Sequence, residues 1–326
     1  MRKPIAWTLA AVAAIAVLVT AAVVGGKMLS ASRTSAVSAE CTVPVPASLS
    51  TAGVRQTGQG ASTGSSTDQG APVAVYLDAV QLQHASTINA VGLHRGLTQR
   101  ARTIALATAF QESQLRNLPN GDRDSVGLFQ QRPSQGWGTV RQISDPVYAA
   151  GKFFDALMKV PGWQRMSLTK AAQAVQYSGF PDAYAKWEGK ALTLAAALGG
   201  EVPVELNCVA GARPSSADAP VRKAVPGTTA ASPALAAVLA AAQAELGGLK
   251  VVSASGSTGT VTVTLTNLGA QQSARTLAAW AVAHSTGFSV SAVSAGSQQW
   301  ADHSWTSAGT QLPAGQVVIR TAWSNP

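Results

Sequence analysis

The chain has 326 residues, only 12% of them charged, and its formal net charge is +9. A basic chain favours an anionic neighbour such as nucleic acid, anionic lipid or an acidic cell-wall polymer. The excess charge is not gathered into a Lys/Arg cluster or an aromatic-basic strand, so nucleic acid is not an expected partner. The length suits two modest domains with connecting segments.

The amino-terminal region contains an uncharged apolar run at residues 5–24. This run is long enough to cross a hydrocarbon core of about 30 Å. We therefore predict that residues 1–30 form a cytoplasmic tip and a retained transmembrane signal anchor, with the bulk of the chain extracytoplasmic at the cell membrane. The alternative is a signal peptide cleaved near the small residues at 36–39, which would make the protein secreted.

Residues 31–72 are rich in Ser, Thr, Gly and Pro and have no apolar periodicity, which predicts a flexible stalk. The stalk includes GASTG at 60–64, a formal match to the nucleophile-elbow pattern. That pattern requires a strand-turn-helix setting, which low-complexity sequence does not supply. No serine nucleophile is expected here.

Two cysteines, Cys41 and Cys208, stand at the two ends of the first folded region. The sequence contains no CxxC pair, and its four histidines are scattered, so neither a metal nor another cofactor is expected. We predict a disulfide between the two cysteines, which indicates an oxidising, extracytoplasmic compartment. Two unrelated buried thiols are the alternative.

Residues 73–208 carry apolar positions three and four apart in about five segments. Thr98 is a suitable N-cap for the second segment, and Pro146 suits the first turn of the third. The pattern predicts an all-α domain. Residues 209–231 are predicted to be a linker, and residues 232–326 a small α+β module in the order helix-strand-helix-strand-strand-strand.

Glu112 lies at the end of the second predicted helix and is followed by a polar, glycine-rich segment. Small residues, Ala105 and Thr108, precede it on the same helix face and leave room beside its carboxylate. Trp137 and Phe129 offer flat apolar faces on which sugars stack. The segment also supplies acid, hydroxyl and amide groups suited to a carbohydrate site: Asp122, Asp124, Ser125, Gln130 and Gln131.

Three blocks in this order, FQES (110–113), GDRDSVGLFQ (121–130) and AVQYSGF (174–180), resemble the signatures of the goose-type lysozyme and soluble lytic transglycosylase superfamily. The resemblance covers about residues 98–190. It implies a lysozyme-like catalytic domain that cleaves the β-1,4 bond between MurNAc and GlcNAc, with peptidoglycan as the partner. It also implies Glu112 as general acid, Asp122 as a residue that helps to place water, and Tyr177 near the reacting sugar. The implied groove wall is Gly127, Leu128, Phe129 and Gln130.

Two departures from the family pattern bear on the chemistry. The third block reads QYSGF and lacks the usual Asn, and Arg132 stands where goose-type enzymes carry a second Asp. An inverting hydrolase needs a second carboxylate to activate water, and only Asp122 and Asp124 lie nearby. A lytic transglycosylase needs one carboxylate. We therefore favour the transglycosylase over the goose-type hydrolase.

Two other functions remain open: a glycan-binding module without catalysis, and a wall-clearing accessory of a secretion or conjugation machine. In the second case residues 232–326 would contact a cell-envelope protein. That module contains several tryptophans, which at strand positions are more often core than ligand platform. They are Trp280, Trp300, Trp305 and Trp323.

Overall fold

The computed structural model describes residues 40–50, 74–177, 182–209, 233–256 and 258–322. The predicted anchor at 5–24 and most of the predicted stalk and linker lie outside these residues. Within the described ranges, no helix has both the length and the apolar character needed to cross a membrane.

The described residues form helices and strands in mixed order. The helices are α1 (Ala47–Ser50), α2 (Ala79–His94), α3 (Gln99–Ser113), α4 (Val140–Ile143), α5 (Pro146–Lys159), α6 (Leu168–Gln176), α7 (Glu188–Leu198), α8 (Pro233–Leu246), α9 (Ala270–Ala283) and α10 (Ser285–Phe288). The strands are β1 (Glu40–Pro44), β2 (Ala74–Asp78), β3 (Asn207–Cys208), β4 (Leu249–Ser255), β5 (Thr260–Leu265), β6 (Val290–Ala295), β7 (Gln298–Ala301), β8 (Ser304–Ser307) and β9 (Val317–Thr321). Short 3-10 turns occur at Pro133–Gln135, Trp163–Arg165 and Ala185–Trp187.

The prediction of an all-α domain behind the anchor is wrong, because strands open and close this part of the chain. β1, β2 and β3 form an antiparallel sheet in the order β2-β1-β3. Val75 and Leu77 of β2 are buried while Tyr76 between them is exposed, the alternation of a strand with one face on a core. The fold is therefore mixed, with one small and one larger antiparallel sheet.

The disulfide between Cys41 and Cys208 is confirmed. The two cysteines face each other across β1 and β3, and both are buried. The bridge joins residues 167 positions apart in sequence and so closes the helical region into one loop.

Helix α3 begins at the predicted cap, where the Thr98 side chain accepts a hydrogen bond from the Ala101 N–H. A buried guanidinium then fixes the helix against its neighbours. Nη1 of Arg102 lies 2.7 Å from Oδ1 of Asn89 on α2 and 3.0 Å from the Ala195 carbonyl on α7, and Nη2 pairs with Glu201. Burial lowers the pKa of Arg102, and the Glu201 carboxylate opposes that shift. These bonds hold the helix that carries Glu112.

The carboxyl-terminal region contains a six-stranded antiparallel sheet in the order β4-β5-β9-β6-β7-β8, with α8 and α9 packed against it. Its buried face includes Val261, Val263 and Ile319. Strand β4 was not predicted from the sequence. It is an edge strand with mostly exposed residues, so its sequence has no apolar alternation.

The carboxyl-terminal sheet is bonded directly to the strand that ends the helical region. Nε1 of Trp300 donates to Oδ1 of Asn207 at 3.0 Å, and Nε1 of Trp305 donates to the Leu206 carbonyl at 2.9 Å. Nδ1 of His303 lies 2.8 Å from the Cys208 carbonyl oxygen. The described residues belong to one compact unit with one continuous hydrophobic core.

Candidate active site

Glu112 lies in the last turn of α3, and the backbone after it fixes where that turn stops. Gln114 adopts a left-handed conformation with φ 55°. Its N–H donates to the Phe110 carbonyl at 3.0 Å, and the Leu115 N–H reaches the Ala109 carbonyl at 3.1 Å. This pattern satisfies carbonyls that a helix end leaves free. The buried Leu115 side chain anchors the turn in the core.

Ser113 connects the helix end to the second sequence block. Its buried Oγ lies 2.7 Å from the Leu128 carbonyl oxygen and 3.0 Å from the Ala109 carbonyl oxygen. The Glu-Ser pair of the first block thus has two roles. Glu112 presents the carboxylate, and Ser113 sets the distance between that carboxylate and the glycine-rich loop.

Glu112 accepts a hydrogen bond from Tyr184, a residue that was not predicted from the sequence. The Tyr184 hydroxyl donates to Oε1 of Glu112 at 2.6 Å, and the tyrosine ring is fully buried. Tyr177, the predicted residue near the sugar, instead caps α6 in a left-handed conformation with 86% of its surface exposed. The signal for Tyr184 was a second tyrosine seven residues further on, in PDAYAKW.

The loop of the second block folds back on itself as a tight turn. The Val126 N–H donates to the Gln131 carbonyl at 3.0 Å, and the reverse bond is 3.1 Å. Gly127 has φ +80°, and a Cβ there would lie 2.8 Å from the Ile143 carbonyl oxygen. Glycine is needed at this position both for its conformation and for the space.

Leu128 and Phe129, predicted as part of the groove wall, are fully buried instead. The Phe129 ring stacks on Phe153 with centroids 4.7 Å apart. These two side chains therefore pack in the core under the loop and do not line the cleft. Ser125 and Gln130 face the cleft, where the Ser125 hydroxyl donates to Oε1 of Gln130 at 3.0 Å.

A cleft of about 250 Å³ opens beside Glu112. It brings together six of the residues named from the sequence with three glutamine or arginine side chains that were not predicted as site residues. The lining residues are Glu112, Asp122, Ser125, Gln130, Gln131, Arg132, Gln135, Trp137 and Gln176. A wider depression of about 620 Å³ near Pro161 and Lys170 has no carboxylate in its lining and offers no acid.

Asp124 is not among the residues that line the cleft, because its carboxylate is bound within the loop. Oδ1 accepts from Nε of Arg132 at 2.6 Å, and Oδ2 accepts from the Ser134 N–H at 2.8 Å. The bond from the Ser134 backbone and the Arg132 guanidinium hold the pKa of Asp124 well below its usual range. Asp124 is a structural anion.

Asp122 lines the cleft and is almost fully solvated. Its side chain is 94% exposed, and the nearest described cation, Nε of Arg123, is 3.9 Å away. Of the two predicted partner carboxylates, Asp122 is therefore the one that lines the cleft, and its contact with Arg123 is long and solvent-exposed.

The remaining lining is amide and aromatic. Nε2 of Gln176 donates to the Phe129 carbonyl at 2.8 Å, and Nε2 of Gln131 lies 3.2 Å from the Ala149 carbonyl oxygen. These bonds orient the two amides against the loop and helix α5. Amides and the Trp137 ring suit a ligand with hydroxyl and acetamido groups. Among the described residues, no group of three or more His, Cys, Asp or Glu side chains could hold a metal ion.

Comparison of the chain with protein-family models and with curated proteins found no match.

Proposed function

We propose that the protein is a peptidoglycan-cleaving enzyme that acts outside the cytoplasm, anchored to the membrane, and breaks the β-1,4 bond between MurNAc and GlcNAc. The proposal rests on one observation above all: the helix-end carboxylate of Glu112 faces an amide-rich cleft and is held by the buried Tyr184 hydroxyl. The three-block resemblance to lytic transglycosylases and goose-type lysozymes supports the same reading.

In this mechanism Glu112 is the general acid. Oε1 accepts the Tyr184 hydrogen bond, which leaves Oε2 to carry the proton to the glycosidic oxygen. As the C1–O bond breaks, the GlcNAc side leaves with that proton, and positive charge develops at C1 of MurNAc. The Tyr184 hydroxyl then stabilises the carboxylate that Glu112 has become, because a hydrogen bond to a charged acceptor is stronger.

The second half of the reaction favours the transglycosylase. The Glu112 carboxylate removes the proton from the 6-hydroxyl of the same MurNAc, whose oxygen attacks C1 and forms a 1,6-anhydro ring. No second protein carboxylate is required for this step. Asp124 is bound to Arg132 and Ser134 and is a poor base, which supports this route over hydrolysis.

Hydrolysis is the second candidate, because Asp122 lines the cleft. It would activate a water that attacks C1. The two reactions differ in their products. Digestion of purified peptidoglycan by the full chain should release 1,6-anhydro ends, measured by mass spectrometry. Reducing ends in their place, together with loss of turnover in Asp122→Asn, would instead establish the hydrolase.

Catalysis itself is tested by Glu112→Gln, which keeps the side-chain shape and removes the proton. We expect turnover to fall by at least about a thousandfold while glycan binding persists. Glu188→Gln, an equivalent change at an exposed glutamate that begins α7, is the matched control and should keep full activity. Equal turnover by Glu112→Gln and the wild type would overturn the enzyme assignment.

A further inference from the structure

Arg132 is the one cationic side chain among the described residues that line the cleft. The rest of the lining consists of four amides, one hydroxyl, one indole and the carboxylates of Glu112 and Asp122. The amides, the hydroxyl and the indole can bind neutral sugar hydroxyls and acetamido groups without a guanidinium. The ion pair with Asp124 uses only Nε of Arg132, so the other N–H donors of this cation need a separate explanation.

The structure holds this guanidinium in a fixed position. Nε donates to Oδ1 of Asp124 at 2.6 Å, and Nη2 lies 3.3 Å from the Ser134 hydroxyl. The Ser134 N–H closes the arrangement by donating to Oδ2 of Asp124 at 2.8 Å. The Arg132 side chain is 23% exposed. Orienting the planar group in advance reduces the entropy that a ligand must otherwise overcome.

One edge of the guanidinium remains available. Asp124 takes Nε, and within the described part of the chain no hydrogen bond to Nη1 occurs. The charge of Asp124 and the carboxylates of Glu112 and Asp122 oppose the long-range attraction of Arg132 for anions, so selection must act at contact distance. A carboxylate is the group that matches this geometry, because its two oxygens accept paired N–H donors of a guanidinium.

We propose that Arg132 binds a carboxylate of the substrate, so that the cleft selects a glycan with an acidic substituent beside the cleaved bond over a neutral GlcNAc polymer. This inference rests on the proposed function. Peptidoglycan offers the same chemistry from two sources. The lactyl group of MurNAc has a free carboxylate in strands without peptides, and the stem peptide carries carboxylates of its own where it is attached.

The test compares two forms of one substrate: peptide-free MurNAc–GlcNAc strands, and the same strands with their lactyl carboxylates converted to carboxamides. For the wild-type chain we expect kcat/KM to be about tenfold to a hundredfold higher on the carboxylate form, as for a hydrogen bond to a charged group. Arg132→Gln should remove the preference mainly through KM, and Arg132→Lys should retain part of it. Arg141→Gln, at an exposed position of α4, is the matched control and should behave as the wild type.

Strands that still carry stem peptides form the third arm of the experiment. A loss of kcat/KM in Arg132→Gln on peptide-free strands assigns the lactyl carboxylate as the ligand. A loss confined to the peptide-bearing strands assigns the stem peptide. If Arg132→Gln cleaves every form as well as the wild type does, with an unchanged melting temperature, the inference is overturned.

Failure of this inference is distinguishable from failure of the proposed function. A wild-type chain that cleaves no strand contradicts the enzyme assignment alone. The dissociation constants of the wild type and Arg132→Gln for the carboxylate and carboxamide strands then still test the role of Arg132. Equal dissociation constants for both proteins on both forms of the strands would reject the role of Arg132.

Discussion

The hydroxyl of Tyr184 donates a hydrogen bond of 2.6 Å to Oε1 of Glu112, across 72 positions of sequence. The tyrosine ring is fully buried, and the carboxylate lies at the boundary between core and cleft. One oxygen of the acid is therefore fixed from the protein side, and the other is left for the substrate. Glu112 is oriented by a contact that no local sequence pattern specifies.

Tyr184→Phe removes this bond and keeps the ring in the core. We expect kcat on peptidoglycan to fall about tenfold to a hundredfold with little change in KM, because the lost bond stabilises the charged form of Glu112. The melting temperature should change little. Tyr177→Phe, the same change at a tyrosine that is 86% exposed, is the control and should leave kcat unchanged. Similar rates for both variants would argue against the positioning role.

The variant Asp124→Asn tests how the Asp124 carboxylate stabilises the loop, and it does not test catalysis. The folded pKa of Asp124 lies below its usual value of 3.8, so its stabilising effect is present above that value and is lost as pH falls toward the folded pKa. The variant should melt a few degrees below the wild type near pH 7. The difference should shrink as the pH falls below about 4.

Thermal unfolding followed by circular dichroism at several pH values measures this difference. Asp122→Asn, in the same loop but with a 94% exposed side chain, is the control and should melt close to the wild type near pH 7. A melting difference for Asp124→Asn that is the same at every pH would contradict the account of its ion pair and backbone bond.

The disulfide should contribute strongly to stability, because it constrains a long loop in the unfolded chain. For a sequence separation of 167 residues, the chain-entropy relation gives about 5 kcal/mol. Replacing both Cys41 and Cys208 with Ser should lower the melting temperature by about 10–20 °C. Adding a reductant should produce a similar loss in the wild type and none in the double variant, which serves as the control. An unchanged melting temperature after verified reduction would contradict this estimate.

Features that depend on residues close together in the chain could be predicted from the sequence, and features that depend on distant residues could not. The Thr98 cap and the position of Glu112 at a helix end depend on residues a few positions apart, and both were predicted. Strands β1 and β2 were missed because each has five residues and pairs with a distant segment, such as Cys41 with Leu77. Such pairing leaves little periodic signal in a short segment.

The site was predicted incompletely for the same reason. The three blocks contain five of the nine residues that line the cleft, and they did not indicate which side chains would point into it. Left-handed backbone at Tyr177 leaves that side chain in solvent, and Tyr184 reaches the acid instead. The pairing of Asp124 with Arg132 depends on a loop that folds back over eight residues. No spacing rule identifies it.

The carboxyl-terminal sheet also completes the core of the helical region. In α2 every residue from Ala85 to Leu93 is buried, so this helix is covered on all sides rather than along one stripe. Helices α8 and α9 pack against α2, and the β7–β8 hairpin bonds to residues 206–208. Separating the two regions would expose a large apolar surface to water.

A chain that stops at residue 209 should therefore fail to fold cooperatively, although it contains every residue of the cleft. We expect it to aggregate or to lose its near-ultraviolet circular dichroism and thermal transition, because α2 would be left uncovered. The control is the full chain with a protease site inserted at residue 220 and then cut. Its two pieces keep the contacts of α8, α9 and the β7–β8 hairpin with the helical region. They should therefore elute together, folded and active. A soluble shortened chain with a sharp melting transition would show instead that the carboxyl-terminal sheet is a separate module.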